Sequence, residues 1–318
     1  MKVLVTGGAG YIGSHVVLAL CEEGNNVVVL DDLSTGNREA VDKRALFIQG
    51  STLNDDDLSN GLNDVDAVIH LAAFKAAGES MIHPEKYSHN NITGTITLLN
   101  AMAKHGVNKF IFSSSAAVYG YPQYLPLDEN HPLEPINYYG FTKLEIERIL
   151  EWYGELKGLR FAALRYFNAA GYDSLGRITS LENNPENLIP IVMEVASGRR
   201  KKMEVFGDDY DTDDGTGVRD YIHVTDLATA HVKCIEYLNE NTSLTVNLAT
   251  GESHSVMDII NLTKEISGRD IPFDIVDRRP GDPAKLYAST NQAFKALNWE
   301  AEYSDLKTLL ETTWKVYQ

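Results

Sequence analysis

Short apolar runs alternate with longer amphipathic stretches through the first half of the chain. Residues 3–6, 27–30, 46–48, 67–71, 110–112 and 161–164 are such runs, each bounded by charged, Gly or Asn residues. Residues 12–20, which follow the first run, carry apolar side chains at helical spacing. Runs apolar at consecutive positions predict strands buried on both faces, and helices between them predict parallel pairing. The expectation is an α/β fold with a Rossmann-type doubly wound parallel sheet.

The pattern changes beyond Asn168. Residues 171–187 and 207–217 are rich in Gly, Asp and Asn without periodicity, which predicts loops. Residues 188–196, 224–238, 256–266 and 306–316 have helical spacing, and 244–248 reads as a strand. A smaller, mixed α/β C-terminal substrate lobe is therefore expected over the sheet's ligand-binding edge. The division reads as a dinucleotide-binding domain over 1–168, rejoined at about 220–247, with a lobe built from 169–219 and 248–318.

Composition narrows the function. The 318 residues are 43% hydrophobic and 23% charged, enough for a sizeable core. Asp and Glu outnumber Lys and Arg by 45 to 28, a formal charge of −17. That charge repels phosphate backbones, so no nucleic-acid partner is expected. An anionic ligand has to be held by local cations or backbone N–H groups. No apolar run approaches the roughly 20 residues of a membrane span, and Met1 leads straight into the first apolar run. Neither a membrane nor a signal peptide is expected. Cys21 and Cys234 form neither a disulfide framework nor a zinc set, so the expected compartment is the cytoplasm. The nine histidines show no metal spacing, and His223 reads as a packing or hydrogen-bonding residue.

Two motifs carry chemistry. Residues 6–13, TGGAGYIG, place Gly8, Gly10 and Gly13 in the G-x-G-x-x-G spacing between a strand and a helix, with Gly7 beside them. Glycines there let the backbone approach a pyrophosphate at a helix N-terminus. Asp31 ends the second strand about 20 residues on, where a carboxylate accepts from a ribose 2′-OH and repels a 2′-phosphate. NAD is the expected cofactor, with Asp32 either a second ribose contact or a solvated neighbour. The other motif begins with 109–115, KFIFSSS, a strand ending in serines. Residues 137–143, NYYGFTK, follow and set Tyr139 and Lys143 four apart on one helix face. A phenol acting as base near neutral pH needs its pKa lowered by about three units, or about 4 kcal/mol. One ammonium at about 5 Å in an effective dielectric near 20 contributes about 3 kcal/mol. Lys143 is expected to supply most of that shift and a positively charged nicotinamide the rest, with Ser115 relaying a proton to Tyr139.

TGGAGYIG, SSSAAVYG, YYGFTK, RYFNAAG and GTGVRDYIHV together resemble the extended short-chain dehydrogenase/reductase family. GTGVRDYIHV, NLIP and RRPGD narrow the resemblance to its UDP-hexose 4-epimerases, from Met1 to about Trp314. The resemblance implies reversible epimerisation of UDP-galactose and UDP-glucose at sugar C4 through a 4-keto intermediate, with tightly held NAD regenerated each cycle. Galactose breakdown and UDP-galactose supply use the same step. Implied cofactor contacts are Gly7, Gly10, Tyr11, Ile12 and Gly13 in the turn, then Asp31, Asp32, Ser51, Leu71, Lys75, Asn90, Tyr139, Lys143 and Tyr166. Implied substrate contacts are Ser115, Tyr139, Asn168, Asn187, Leu188, Arg219, Tyr221, Arg279, Asp282 and Leu286. Taken alone, Arg219, Arg279 and Lys75 are equally compatible with surface ion pairs. A homodimer is implied, through helices at about 87–104 and 139–157.

Two departures bear on specificity. Ser51 stands where the family often has an Asp on the adenine, which implies a shifted adenine contact. Leu286 stands where a larger tyrosine often limits room for a 2-N-acetyl group, so a dual-specificity enzyme acting also on UDP-N-acetylhexosamines is the alternative. Dehydratases of the family need an Asp-Glu pair, and decarboxylases a Glu, where this chain has Ala116 and Ala117. A non-catalytic NAD sensor needs no intact Ser115, Tyr139 and Lys143.

Overall fold

The computed structural model describes residues 1–182, 185–279 and 281–318. In the first half the chain forms β1 (Lys2–Thr6), α1 (Tyr11–Glu22), β2 (Asn26–Asp31), β3 (Leu46–Gln49), β4 (Ala67–His70), β5 (Lys109–Ser115) and β6 (Arg160–Tyr166). A seventh strand, Ser243–Leu248, pairs parallel with β6, from Ser243 opposite Phe161 to Leu248 opposite Tyr166. The sheet order is Ser243–Leu248, β6, β5, β4, β1, β2, β3, with every pairing parallel. This is the doubly wound α/β fold expected from the apolar runs.

The consecutive apolar positions divide between two faces. Val3, Val5, Val27, Val29 and Ile69 join one core cluster with α1 and the helix Val224–Glu240. Leu4, Val28, Leu30, Val68, Phe110 and Phe112 point the other way, against Leu98, Met102, Ile146 and Leu150. Alternation along a strand sends neighbours to opposite faces, so a sheet covered on both sides needs every position apolar. The C-terminal helices Leu188–Ala196, Val256–Ser267 and Leu306–Tyr317 pack around a third cluster that includes Val192, Met193, Ile259, Ile260, Leu309 and Leu310. Among the described residues no helix is long and apolar enough to cross a membrane.

From β1 the chain winds outward to β3, then returns to β4 on the other side of β1. The crevice between the C-terminal ends of β1 and β4 is thus the switch point where doubly wound sheets bind ligands. The long helix Tyr138–Lys157 covers one face near this edge. Its first turn is capped by the Asn137 Oδ1, which accepts from the Gly140 N–H at 2.8 Å, and it stops at Gly158 in the left-handed region. A buried ion pair fastens it to β6: Arg165 Nη2 donates to Glu147 Oε2 at 2.6 Å and Nε to Oε1 at 3.0 Å. Arg165 Nη1 reaches the Tyr119 phenol at 3.1 Å, and the Ser114 hydroxyl donates to Glu147. Breaking such a pair leaves a buried guanidinium uncompensated. Glu147→Ala is therefore expected to destabilise the chain by about 3–5 kcal/mol, read from the urea unfolding midpoint.

Candidate active site

The site begins where β1 ends. Gly7 has φ +73° and donates its N–H to Leu30 O at 2.9 Å, and a Cβ there would stand 2.6 Å from the Ala72 nitrogen. A Cβ on Gly13 would run into the Gly7 carbonyl oxygen. The turn is therefore wedged between β2, α1 and the segment after β4, and only glycine fits at these two points. Gly10 caps α1 without a side-chain partner, so the first-turn N–H groups face the crevice free of intrahelical acceptors. Asp31 Oδ2 accepts from the Ala9 N–H and Oδ1 from the Leu33 N–H, each at 2.9 Å. Burial holds this carboxyl above the usual carboxylate range, and the two N–H bonds work against that. The sequence implied a ribose contact; the structure adds a brace for the glycine turn itself.

A cavity of about 780 Å³ opens from this turn. It is lined by Gly7, Gly10, Tyr11, Ile12, Gly13, Asp31, Asp32, Ser51, Leu71, Lys75, Asn90, Tyr139, Lys143 and Tyr166, and also by Asn187. Asp32 Oδ1 is engaged by the Ser34 N–H at 2.8 Å, and the Ser51 Oγ accepts from the Leu53 N–H at 3.2 Å. Lys75 forms an ion pair with Glu182, which lines the same cavity. A second cavity of about 270 Å³ is lined by Ser115, Ala116, Ala117, Asn168, Arg219, Asp282 and Leu286. Tyr166 borders both cavities. Ser115 pairs with Tyr166 across β5 and β6, so the two cavities meet at the sheet's C-terminal edge.

Three residues implied by the resemblance lie outside both cavity linings. Tyr221 is buried in the C-terminal cluster, Leu188 opens the helix packed on that cluster, and Arg279 is half exposed. Arg279 Nε donates to Asp282 Oδ2 at 3.0 Å, and its guanidinium lies 4.6 Å over the Phe206 ring. Arg219 Nη1 donates to its neighbour's carbonyl, Val218 O, at 2.9 Å, with Nη2 3.7 Å from Asp282 Oδ1. The RRPGD segment includes Pro280, which falls outside the described residues, as do Asn183 and Asn184 of the 171–187 loop.

Lys143 is buried, with only 2% of its surface exposed, and Nζ donates to Ser113 O at 2.6 Å. The ammonium sits 4.8 Å over the Phe112 ring and 5.7 Å from the centre of the Tyr139 ring. Burial lowers its pKa to about 7, against a smaller upward pull from Glu147. Burial also raises the Tyr139 phenol above its usual value, opposed by a hydrogen bond with Ser115. The expected lowering of the Tyr139 pKa rests on Lys143 together with a nicotinamide cation; in the chain without cofactor, burial raises the phenol instead. In the chain by itself, loss of water dominates at both groups, because desolvation penalises both charged forms.

Several functional features were not read from the sequence. Ser113 contributes the carbonyl that holds Lys143, and its hydroxyl meets the Tyr166 phenol. Gly140 lets the long helix approach the chain after β5, since a Cβ would strike the Ala117 carbonyl oxygen. Asn90 lies in a π-helical turn, Ser88–Thr93. The next residue, Asn91, clamps Phe74: Oδ1 accepts from the Phe74 N–H and Nδ2 donates to Phe74 O, both at 3.0 Å. His223 caps the helix Val224–Glu240 through the Thr225 N–H and sits 3.0 Å from the Thr312 hydroxyl. Among the described residues no group of three or more His, Cys, Asp or Glu is placed to hold a metal ion.

A family model described as the NAD dependent epimerase/dehydratase family matches residues 3–249. The chain belongs to this family. It is 46% identical to a UDP-glucose 4-epimerase of Halalkalibacterium halodurans, covering 99% of this chain and 95% of that protein. A crystal structure of UDP-glucose 4-epimerase from Brucella ovis in complex with NAD superposes with a TM-score of 0.97 at 44% identity, covering 99% of this chain and 98% of that one. The enzyme from Bifidobacterium longum in complex with NAD+ and UDP superposes with a TM-score of 0.94 at 38% identity, again covering 99% and 98%.

The buried lysine sets a measurable pH dependence. The free-chain pKa of lysine is about 10.4, so between pH 7 and 10 the unfolded chain carries the extra proton. Stability then rises with pH through this window, and the full penalty is present below pH 7. Lys143→Met is expected to raise the melting temperature by several degrees at pH 6, with the gain shrinking towards pH 10. Thermal unfolding of both proteins across this range checks it.

Proposed function

We propose that the chain interconverts UDP-glucose and UDP-galactose at sugar C4, through a 4-keto sugar and with tightly held NAD. The observation that carries this reading is the junction of the two cavities. Tyr139 faces the larger one, beside the glycine turn, and Ser115, which works against the upward shift of the Tyr139 phenol, lines the smaller one. Membership of an NAD dependent family and the similarity to UDP-glucose 4-epimerases supply the substrate class. UDP-hexoses are favoured over N-acetylated ones, although Leu286 lines the smaller cavity.

The residues fit NAD. The glycine cradle has no room for a Cβ at Gly7 or Gly13, the N-terminus of α1 is open, and Asp31 stands at the β2 edge. The cofactor's contribution when bound is a reversible hydride acceptor at the sugar C4. Ser115 orients the sugar 4-hydroxyl and passes its proton to Tyr139. Lys143 holds the phenolate electrostatically once it carries its proton, aided by the Ser113 carbonyl. On return, Tyr139 gives the proton back to the oxygen of the reduced C4. Ala116 and Ala117 offer no acid or base for eliminating water. We assign the cofactor to the larger cavity's residues and the sugar and diphosphate to Asn168, Asn187, Arg219, Asp282 and Leu286. We divide the chain into a cofactor domain, 1–168 with 220–247, and a UDP-sugar lobe, 169–219 with 248–318.

Purified protein incubated with UDP-galactose and no added NAD is expected to form UDP-glucose. Tyr139→Phe is expected to retain bound NAD and lose about 10²- to 10⁴-fold in kcat. Wild-type turnover by that variant would remove Tyr139 from the mechanism.

We further propose a homodimer and a cytoplasmic location, in galactose use or UDP-galactose supply. Cys21 and Cys234 are both free and buried, which suits a reducing compartment. Phe141, Trp152 and Leu156 form one exposed stripe on the long helix, with Trp152 62% and Leu156 69% exposed. An apolar stripe of this kind suits the same helix of a second copy. Trp152→Glu combined with Leu156→Glu is expected to yield monomers in sedimentation, while a wild type already monomeric would refute the dimer.

A further inference from the structure

The smaller cavity is walled by very short pairings. Val218 and Arg219 pair in parallel with Lys285 and Leu286, while residues 221–223 pair with Asn168–Ala170. Asp220 is the single residue between these two pairings, where the chain leaves one partner and takes up the other. Its N–H donates to Leu286 O at 3.1 Å. Its carbonyl accepts from the Asn168 N–H at 3.3 Å and from Asn168 Nδ2 at 2.9 Å. Asn168 and Leu286, which both line the cavity, are therefore joined through one residue.

Pairings of two or three residues do not hold a backbone by themselves. The Asp220 side chain supplies the missing constraint. It has no exposed surface and no salt-bridge partner among the described residues. Oδ1 accepts from the Thr250 N–H at 3.0 Å and the Thr250 hydroxyl at 2.9 Å, and Oδ2 from the Gly251 N–H at 3.1 Å. A buried carboxylate is tolerated only when N–H and O–H donors replace its water, and here all three come from Thr250 and Gly251, just after the strand Ser243–Leu248. Burial still raises its pKa to about 6.

We propose that Asp220 is a positioning residue that fixes the separation of the Asn168 and Leu286 walls and so sets the fit of the nucleotide sugar. This rests on the reading of the smaller cavity as the UDP-sugar site. The carboxylate is remote from the reacting oxygen; it acts through the walls. Its loss therefore weakens binding in the ground state and the transition state alike.

The test compares wild type with Asp220→Asn, whose amide turns two N–H donors towards the donors already present. KM for UDP-galactose is expected to rise about tenfold, with kcat within about twofold of wild type and bound NAD unchanged. Calorimetric titration with UDP is expected to show a parallel loss of affinity. Unchanged KM and UDP affinity in the variant would overturn the role of Asp220, as would a fall in kcat at constant KM. If wild type does not convert UDP-galactose, the epimerase reading fails by itself, and the UDP titration still decides for or against Asp220. Should Asp220→Asn not fold, Thr250→Val removes one donor and keeps the carboxylate. A smaller rise in KM would then support the inference, and none would refute it.

Discussion

A lysine ammonium out of contact with water is the constraint on which the rest of the site depends. Lys143 is anchored on one side by the Ser113 carbonyl of β5 and lies over the Phe112 ring of the same strand. Its helix has to sit against β5 closely enough for that bond, and three features secure the approach. Gly140 offers no Cβ to the Ala117 carbonyl, the Ser80 hydroxyl receives the Tyr139 N–H at 3.0 Å, and Glu147 grips Arg165 one turn further along. On the long helix, Gly140 and the Tyr139 N–H lie in the first turn, and Glu147 lies one turn beyond Lys143. The catalytic spacing and the packing of the helix are one requirement.

That packing has a consequence for proton chemistry. In the chain alone, burial favours the neutral form of each group, raising the Tyr139 phenol and lowering the Lys143 ammonium. This environment favours the neutral phenol and destabilises the ammonium by the same loss of water. On the proposed reading, base strength therefore depends on positive charge brought by the oxidised cofactor, which stabilises a phenolate without adding water. Proton abstraction is thereby coupled to the presence of a hydride acceptor, and the residues do little chemistry without it. An exposed Tyr and Lys would lack this coupling, because solvent would screen the cofactor's charge.

The regular parts of the molecule were legible because their signals are local. Strands buried on both faces declare themselves as unbroken apolar runs, and the glycine turn and the Tyr139/Lys143 pair each lie within eight residues. What escaped reading depends on distance or on water. Glu147 and Arg165 are 18 apart and meet only once β6 is docked beneath the long helix. Asp31 was read as a ribose contact, but its role as a brace for Ala9 depends on the twist of β1 against β2. The upward pull of burial on Tyr139 was not foreseen, because a sequence gives the spacing of charges and not their loss of solvent. The two-residue pairings around Asp220 carry no periodicity at all.

Charge at the smaller cavity follows the same logic of local exception. The chain carries −17 overall, yet Arg219 and Arg279 converge on one carboxylate, Asp282. Two guanidiniums against one carboxylate leave one positive charge, at a point where most of the surface is repulsive to anions. Asp282 accepts from the Arg279 guanidinium, while Arg219 is oriented by the Val218 carbonyl with Nη2 3.7 Å from Asp282, so both planar groups are partly ordered before any ligand arrives. For a diphosphate this lowers the entropic cost of binding, while the negative surface around it disfavours longer polyanions. On the proposed reading, a small cationic exception set within an acidic molecule favours a compact nucleotide diphosphate over longer polyanions.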